Sequence, residues 1–198
     1  MKSVVPLFLS LFFSIPSWAA VLDFEPLAWP TTYSFPFDYE EDGFLFEPIT
    51  GFAGFSVLGT TDDRYAGSTT LAANSENGVT RLSRVDGDFF SLASIDLAEA
   101  FSGEQPIVTF VANTGASQSF TLDGVGPALE TFFFNADFQN ILSVTWTQGR
   151  VSEFLPDIPL HQFDNIVVSQ VPLPGAFGLF VMSGIMFLFC RRRLNTTF

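Results

Sequence analysis

The side chains most able to do chemistry in this sequence are acidic, and many come in short runs. Glu40-Glu41-Asp42, Asp62-Asp63 and Asp86-Gly87-Asp88 all sit in polar, turn-like stretches. A carboxylate pair can cleave a glycosidic bond, but the two groups must flank that bond from opposite sides. Neighbours in one turn read better as solvated surface. Calcium needs about six to eight oxygens from carboxylates and backbone carbonyls, which acidic loops offer. Asp62-Asp63 and Asp86-Gly87-Asp88 are loop candidates for it, although no stretch matches an EF-hand loop. Asp164 poses a different problem. It follows Phe163 and precedes Ile166, Val167 and Val168 in an apolar strand. An ionised carboxylate there is costly unless something pairs with it. Between residues 20 and 170 the basic residues are Arg64, Arg81, Arg84 and Arg150 alone, so a cation or a set of backbone donors must serve.

Other reactive types are scarce. The single histidine, His161, lies beside Pro159 just before the last strand, with no Gly-x-Ser-x-Gly motif to pair with it. It reads as a loop or strand-edge residue, because a serine triad needs its histidine against the serine. The single cysteine, Cys190, lies in the apolar tail. The body of the chain therefore has no disulfide and no thiol nucleophile, and zinc is disfavoured. Sugar binding needs an exposed aromatic face with polar neighbours. Trp29, Tyr33 and Tyr39, in the irregular segment from Pro26 to Asp42, and Tyr65, after Asp62-Asp63, are the aromatics placed to provide one. Trp146 alternates with core positions and is expected to be buried.

The elements that must position these residues read as strands. Leu142, Val144 and Trp146 alternate with Ser143, Thr145 and Thr147, the cleanest period of two in the chain. Further strands are expected over Gly51–Gly59, Thr69–Ala73, Val79–Val85, Phe89–Ala98, Ile107–Ala112, around Phe120 and Leu122, and over Gln162–Ser169. In Phe89–Ala98, Ala93, Ile95 and Leu97 share a face opposite Ser94 and Asp96. Asn74 to Gly78 is a turn sequence and suggests a hairpin between Thr69–Ala73 and Val79–Val85. Asn135 to Asn140 reads as a short turn or helix. Eight or nine short strands with polar turns predict an all-β, two-sheet antiparallel sandwich. The 26 phenylalanines of the chain can fill its core without cysteine. All 21 acidic residues lie between positions 20 and 170, against four arginines, so nucleic acid and anionic membrane surfaces are poor partners.

Both ends read as targeting segments. Met1-Lys2, an apolar stretch from Val4 to Ile15 and Ser17-Trp18-Ala19 form a secretory signal peptide, residues 1–19, with small residues at the expected cut after Ala19. The body is then a sandwich ectodomain, residues 20–170. Residues 171–198 hold Val171-Pro172-Leu173-Pro174-Gly175, an apolar run from Ala176 to Cys190, and a basic tail over 191–198 that opens with Arg191-Arg192-Arg193. The run spans roughly 22 Å as a helix, and arginines that snorkel close the gap to a ~30 Å hydrocarbon core. It is expected to be a single transmembrane helix, with the arginines as a cytoplasmic stop and the ectodomain outside.

Proline motif, short transmembrane helix and arginine cluster, in that order, resemble the PEP-CTERM sorting signal of Gram-negative bacteria. The usual Val-Pro-Glu-Pro core has Leu173 in place of glutamate here. The resemblance implies an exosortase-like membrane protease as partner, anchoring in the inner membrane, and delivery to the cell surface or beyond after processing. A second resemblance rests on Ser91-Leu92-Ala93-Ser94-Ile95-Asp96-Leu97, Val108-Thr109-Phe110, Ser143-Val144-Thr145-Trp146 and Phe163-Asp164-Asn165-Ile166-Val167-Val168. In that order they are similar to the jelly-roll ectodomain common in PEP-CTERM proteins, itself similar to galactose-binding-like carbohydrate modules. That resemblance implies a structural calcium clamped by acidic groups of the first and last strands, here Asp23 or Glu25 with Asp164. The expected function is a non-enzymatic surface or matrix protein associated with exopolysaccharide. A lectin-like carbohydrate-binding module is the second reading and a secreted hydrolase the third.

Overall fold

The computed structural model describes residues 19–50, 54–74, 78–100, 105–147 and 161–170. Thirteen strands run through them: β1 Ala19–Leu22, β2 Tyr33–Phe35, β3 Tyr39–Glu41, β4 Phe44–Pro48, β5 Phe55–Val57, β6 Leu71–Ala73, β7 Val79–Arg84, β8 Phe90–Glu99, β9 Ile107–Ala112, β10 Ser117–Thr121, β11 Glu130–Phe133, β12 Ser143–Thr147 and β13 His161–Gln170. Short 3-10 turns occupy Glu25–Leu27 and Ala136–Phe138. The strands form two antiparallel sheets, so the chain is an all-β sandwich. The first sheet has the order β11-β8-β13-β6-β5-β2, with β1 also paired to β13; the second has the order β10-β9-β12-β7-β4-β3.

Strands β6 to β13 trace a jelly roll. β6, β13, β8 and β11 are neighbours in one sheet, and β7, β12, β9 and β10 in the other, so the chain crosses between sheets at nearly every connection. β1 to β5 extend both sheets. The hairpin expected across residues 74–78 does not form, because β6 lies in the first sheet and β7 in the second. Burial supplies the reason. All three residues of β6 are buried, which suits an interior strand covered on both faces, whereas β7 buries only Thr80 and Leu82 in alternation. The segment from Pro26 to Asp42, read as irregular, contains β2 and β3.

Phenylalanine fills the space between the sheets. Phe24, Phe44, Phe46, Phe55, Phe90, Phe110, Phe138 and Phe163 are fully buried with Trp146. Each such ring removed from water contributes about 1.5–3 kcal/mol. The rings meet edge to face at the centre: Phe24 and Phe46 at 5.0 Å, Trp146 and Phe163 at 5.1 Å. The alternation of β12 is as expected for Val144 and Trp146, but Leu142, just before the strand, is exposed.

Among the described residues no helix is long and apolar enough to cross a membrane. Residues 1–18 and 171–198 lie outside the described residues, and with them the hydrophobic core of the signal peptide, the sorting motif Val171 to Gly175, the tail helix and Arg191 to Arg193.

Candidate functional site

Two central strands, β8 and β13, each carry one extra residue at the same level. Asp164 pairs with Asp96, Val167 with Ser94 and Val168 with Leu92, so the register shifts once in each strand. Such bulges re-aim side chains. In β13 the added residue is Asn165, at φ 45°, and beyond it Ile166 and Val168 turn inward. In β8 the shift falls at Ala93, which is exposed while Phe90, Leu92, Ile95 and Leu97 are buried. The expected common face for Ala93, Ile95 and Leu97 is thereby broken.

Asn165 ties two carboxylates together. Its backbone N–H donates to Asp164 Oδ1 at 2.7 Å, and its Nδ2 donates to Asp96 Oδ2 at 2.9 Å. Thr131 Oγ1 donates to the other Asp96 oxygen at 2.6 Å. Asp164 is fully buried, and its Oδ2 has no hydrogen-bond partner. Ser68, from the β5–β6 loop, is the hydroxyl that stabilises the Asp164 carboxyl, but its single proton is directed to Glu25 Oε1 at 3.0 Å. The Thr69 N–H donates to the same Glu25 oxygen at 3.2 Å. Burial pushes the Asp164 carboxyl up to about 7. The Ser68 hydroxyl and the Asn165 N–H pull it down, while Asp96 and Glu25 push it further up.

Of the expected calcium clamp, Glu25 and Asp164 both meet Ser68, while Asp23 closes the turn to Glu25. A cation gathers oxygens at about 2.3–2.6 Å. Among the described residues, one group of three carboxylates has oxygens within 4.8 Å of one another, that of Glu99, Asp123 and Glu130. Asp23 instead accepts the Glu25 N–H at 3.1 Å, and its own N–H donates to Glu41. The loop candidates are committed as well. Asp86 accepts from Arg84 and from the Asp88 N–H, closing a turn. Asp62 accepts from the backbone N–H, Nε and Nη2 of Arg64 and from Thr32 Oγ1. The Arg64 hydrogen bonds hold its carboxyl well below the usual carboxylate range.

The Thr32–Asp62 bond joins the loop before β2 to the β5–β6 loop. Gly59 N–H donates to Thr32 Oγ1 at 3.1 Å, Thr61 N–H to Pro30 O at 3.0 Å, and Thr60 N–H to Trp29 O at 3.4 Å. A Cβ on Gly59 would lie 2.4 Å from the Thr31 carbonyl carbon, so only glycine permits this approach. The loop pair presents Trp29, whose side chain is 61 % exposed. Tyr65 is half-buried on the same loop, with its N–H donating to Asp62 O. Tyr33 and Tyr39 are placed differently. The Tyr33 hydroxyl donates to Leu27 O at 3.0 Å, and the Tyr39 ring packs on Phe24 and Phe46.

Several polar residues acquire roles that their sequence context did not signal. Glu41 is half-buried on β3, and its carboxylate accepts the N–H groups of Asp23 and Phe24 at 3.1 and 3.3 Å. Burial pushes that carboxyl up. Glu99 is buried at the end of β8 and accepts from the Gly124 N–H and from the Gly126 N–H, the latter at 3.0 Å. Gln162 Nε2 donates to Arg64 O and Glu99 O, while its Oε1 accepts from Thr70. His161, expected at an edge, is fully buried at the start of a central strand, opposite Glu99. The one available signal was Asp42-Gly43, a two-residue turn pair that marks the β3–β4 hairpin and so Glu41's strand.

No family model matches the sequence, and no curated protein matches it. Solved structures do. A family 29 carbohydrate-binding module from Piromyces equi shares 13 % identity at a TM-score of 0.41, covering 79 % of this chain and 93 % of that one. A second structure described as a family 29 carbohydrate-binding module gives 15 % identity and 0.38, covering 78 % and 90 %. The exo-beta-1,3-galactanase of Phanerochaete chrysosporium gives 14 % and 0.36, over 71 % of this chain but 29 % of its own. Similarity at this level transfers neither residues nor activity.

Proposed function

We propose that this chain is an exported, non-enzymatic surface or matrix protein whose sandwich binds carbohydrate. Trp29 carries the reading: an exposed aromatic on a cross-bonded loop pair whose polar bonds run through Thr32, Asp62 and Arg64. An aromatic face with fixed polar neighbours is the arrangement that stacks on a sugar ring and orients it. A serine-triad hydrolase finds no support, since the sole histidine is buried in a central strand. The buried Glu99 carboxylate is held by two backbone N–H groups. The acidic surface favours a neutral glycan over an anionic one. The test is retention on immobilised neutral polysaccharides. Wild type should be retarded and Trp29→Ala should not, with unchanged melting temperatures. Equal retention of both would remove Trp29 from the reading.

The address is a second part of the proposal, carried by the order of motif, apolar run and arginines over residues 171–198. An exosortase-like protease is the proposed processing partner, the inner membrane the first anchor and exopolysaccharide the final associate. Replacing Pro172 and Pro174 by alanine should leave membrane insertion intact and block processing. Intact mass of the mature protein reads that outcome, and normal processing of the double variant would sink the sorting reading.

A further inference from the structure

Three Asp-Gly pairs occur in the chain: Asp42-Gly43, Asp86-Gly87 and Asp123-Gly124. Aspartate before glycine is prone to cyclise, because glycine carries no side chain to keep its nitrogen away from the neighbouring carboxyl carbon. Attack needs both partners free to approach. The fold ties up two of the three pairs. Asp86 accepts from Arg84 Nε and from the Asp88 N–H, and the Gly87 N–H donates to Arg84 O at 3.1 Å. Asp123 accepts the Val125 N–H at 2.8 Å, and the Gly124 N–H donates to Glu99 Oε1. The pair at the tip of the β3–β4 hairpin is untied. Asp42 and Gly43 are both exposed, and neither the Asp42 carboxylate nor the Gly43 N–H has a hydrogen-bond partner among the described residues. Chain neighbours aside, no atom lies within 4 Å of where a Cβ on Gly43 would stand.

We propose that Asp42-Gly43 is a site of spontaneous isoaspartate formation. The Gly43 nitrogen bonds to Asp42 Cγ and closes a five-membered imide. Its proton and one from solvent go to the departing carboxylate oxygen, which leaves as water. Water then opens the ring. Attack at the Asp42 main-chain carbonyl carbon breaks that carbon's bond to nitrogen and leaves the chain running through Cγ. The reaction needs no glycan and no reactant other than water.

The consequence follows from the turn. Asp42 and Gly43 form a two-residue loop with φ of 49° and 79°, the positive pair that a type I′ turn requires, and Glu41 pairs with Phe44 directly across it. An isoaspartate adds one backbone atom to that loop, so the I′ geometry is lost and the closing pair loosens. Glu41 is the residue whose carboxylate accepts the Asp23 and Phe24 N–H groups. Modification at an exposed tip thereby reaches the entry of Phe24 into the core, where its ring meets Phe46 and Phe163.

Ageing the full chain at neutral pH, both native and in denaturant, tests the site. Isoaspartate-specific enzymatic methylation followed by peptide mapping reads each position separately, Asn77-Gly78 included, whose Asn77 lies outside the described residues. In denaturant the three Asp-Gly pairs should convert at similar rates. In the native protein Asp42 should convert roughly tenfold faster than Asp86 and Asp123, since each of those must first break its hydrogen bonds. Asp42→Glu, which would need a six-membered ring, should abolish the product at this position. Asp42→Asn keeps an I′ turn pair and should convert faster, since a neutral amide is a better electrophile than a carboxylate. Hydrogen exchange at the Asp23 and Phe24 amides should quicken in the aged wild type and stay unchanged in aged Asp42→Glu. Equal native conversion at the three pairs, or native protection of Asp42 as deep as that of Asp86, would overturn the proposal. Unchanged exchange at Asp23 and Phe24 in isoaspartate-bearing protein would overturn the coupling to Glu41.

Discussion

Trp146 offers the sharpest test of the core. It is 2 % exposed on β12, with its ring 5.3 Å from Phe110 and 5.1 Å from Phe163. Trp146→Ala removes the largest side chain between the sheets and leaves a cavity that rigid strands cannot close. The expected cost is about 3–5 kcal/mol. For a domain of this size that lowers the melting temperature by roughly 10 °C, at about 2–4 °C per kcal/mol. Trp146→Phe should behave differently. The indole Nε1 is buried without a hydrogen-bond partner, a burden of about 1–3 kcal/mol that phenylalanine does not carry. Its removal offsets much of the lost contact area, so the variant should fall within about 2 kcal/mol of wild type. Thermal unfolding by circular dichroism reads both. Fluorescence gives a second check, because the buried Trp146 should emit to the blue of the exposed Trp29. An unchanged melting temperature in Trp146→Ala would refute the burial. Equal losses in the alanine and phenylalanine variants would show that Nε1 has a partner in solution.

Two further perturbations address the loop pair. Gly59→Ala would drive a Cβ into the backbone of Pro30 and Thr31, so it should destabilise by about 1–3 kcal/mol and expose residues 29–32 to limited proteolysis. A wild-type digestion pattern would contradict the close approach. Asp62 has a depressed carboxyl in the folded protein, held down mainly by Arg64. Its contribution is therefore present above the unfolded carboxylate range and is lost as pH falls through and below that range. Acid unfolding of the wild type should show this dependence and Asp62→Asn should lack it; parallel curves would refute it.

Local pattern carried much of the architecture. Alternation over Val144 and Trp146, and over Phe120 and Leu122, is a property of a few consecutive residues, since one face of each strand is buried. The all-β class, the two-sheet sandwich and the burial of Trp146 follow from it. Short strands such as β2 and β3 escaped because three residues hold too little alternation to register. The hairpin across residues 74–78 failed because a turn sequence says that the chain reverses, not in which sheet it resumes.

The candidate site divides along the same line. The sequence alone marked Asp164 as a carboxylate in an apolar strand that needs a partner, and Trp29 as an aromatic in a polar stretch. Only the tertiary structure decided what surrounds them. Gln162 meets Thr70 across a separation of 92 positions, and Asn165 reaches Asp96 across 69. The paired bulges that turn Asp164 toward Ser68 and Glu25 exist because β8 and β13 lie side by side with one extra residue each. Strand character is set by neighbours along the chain, whereas register, bulges and the company of a buried carboxylate are set by residues that meet only when the sheets assemble.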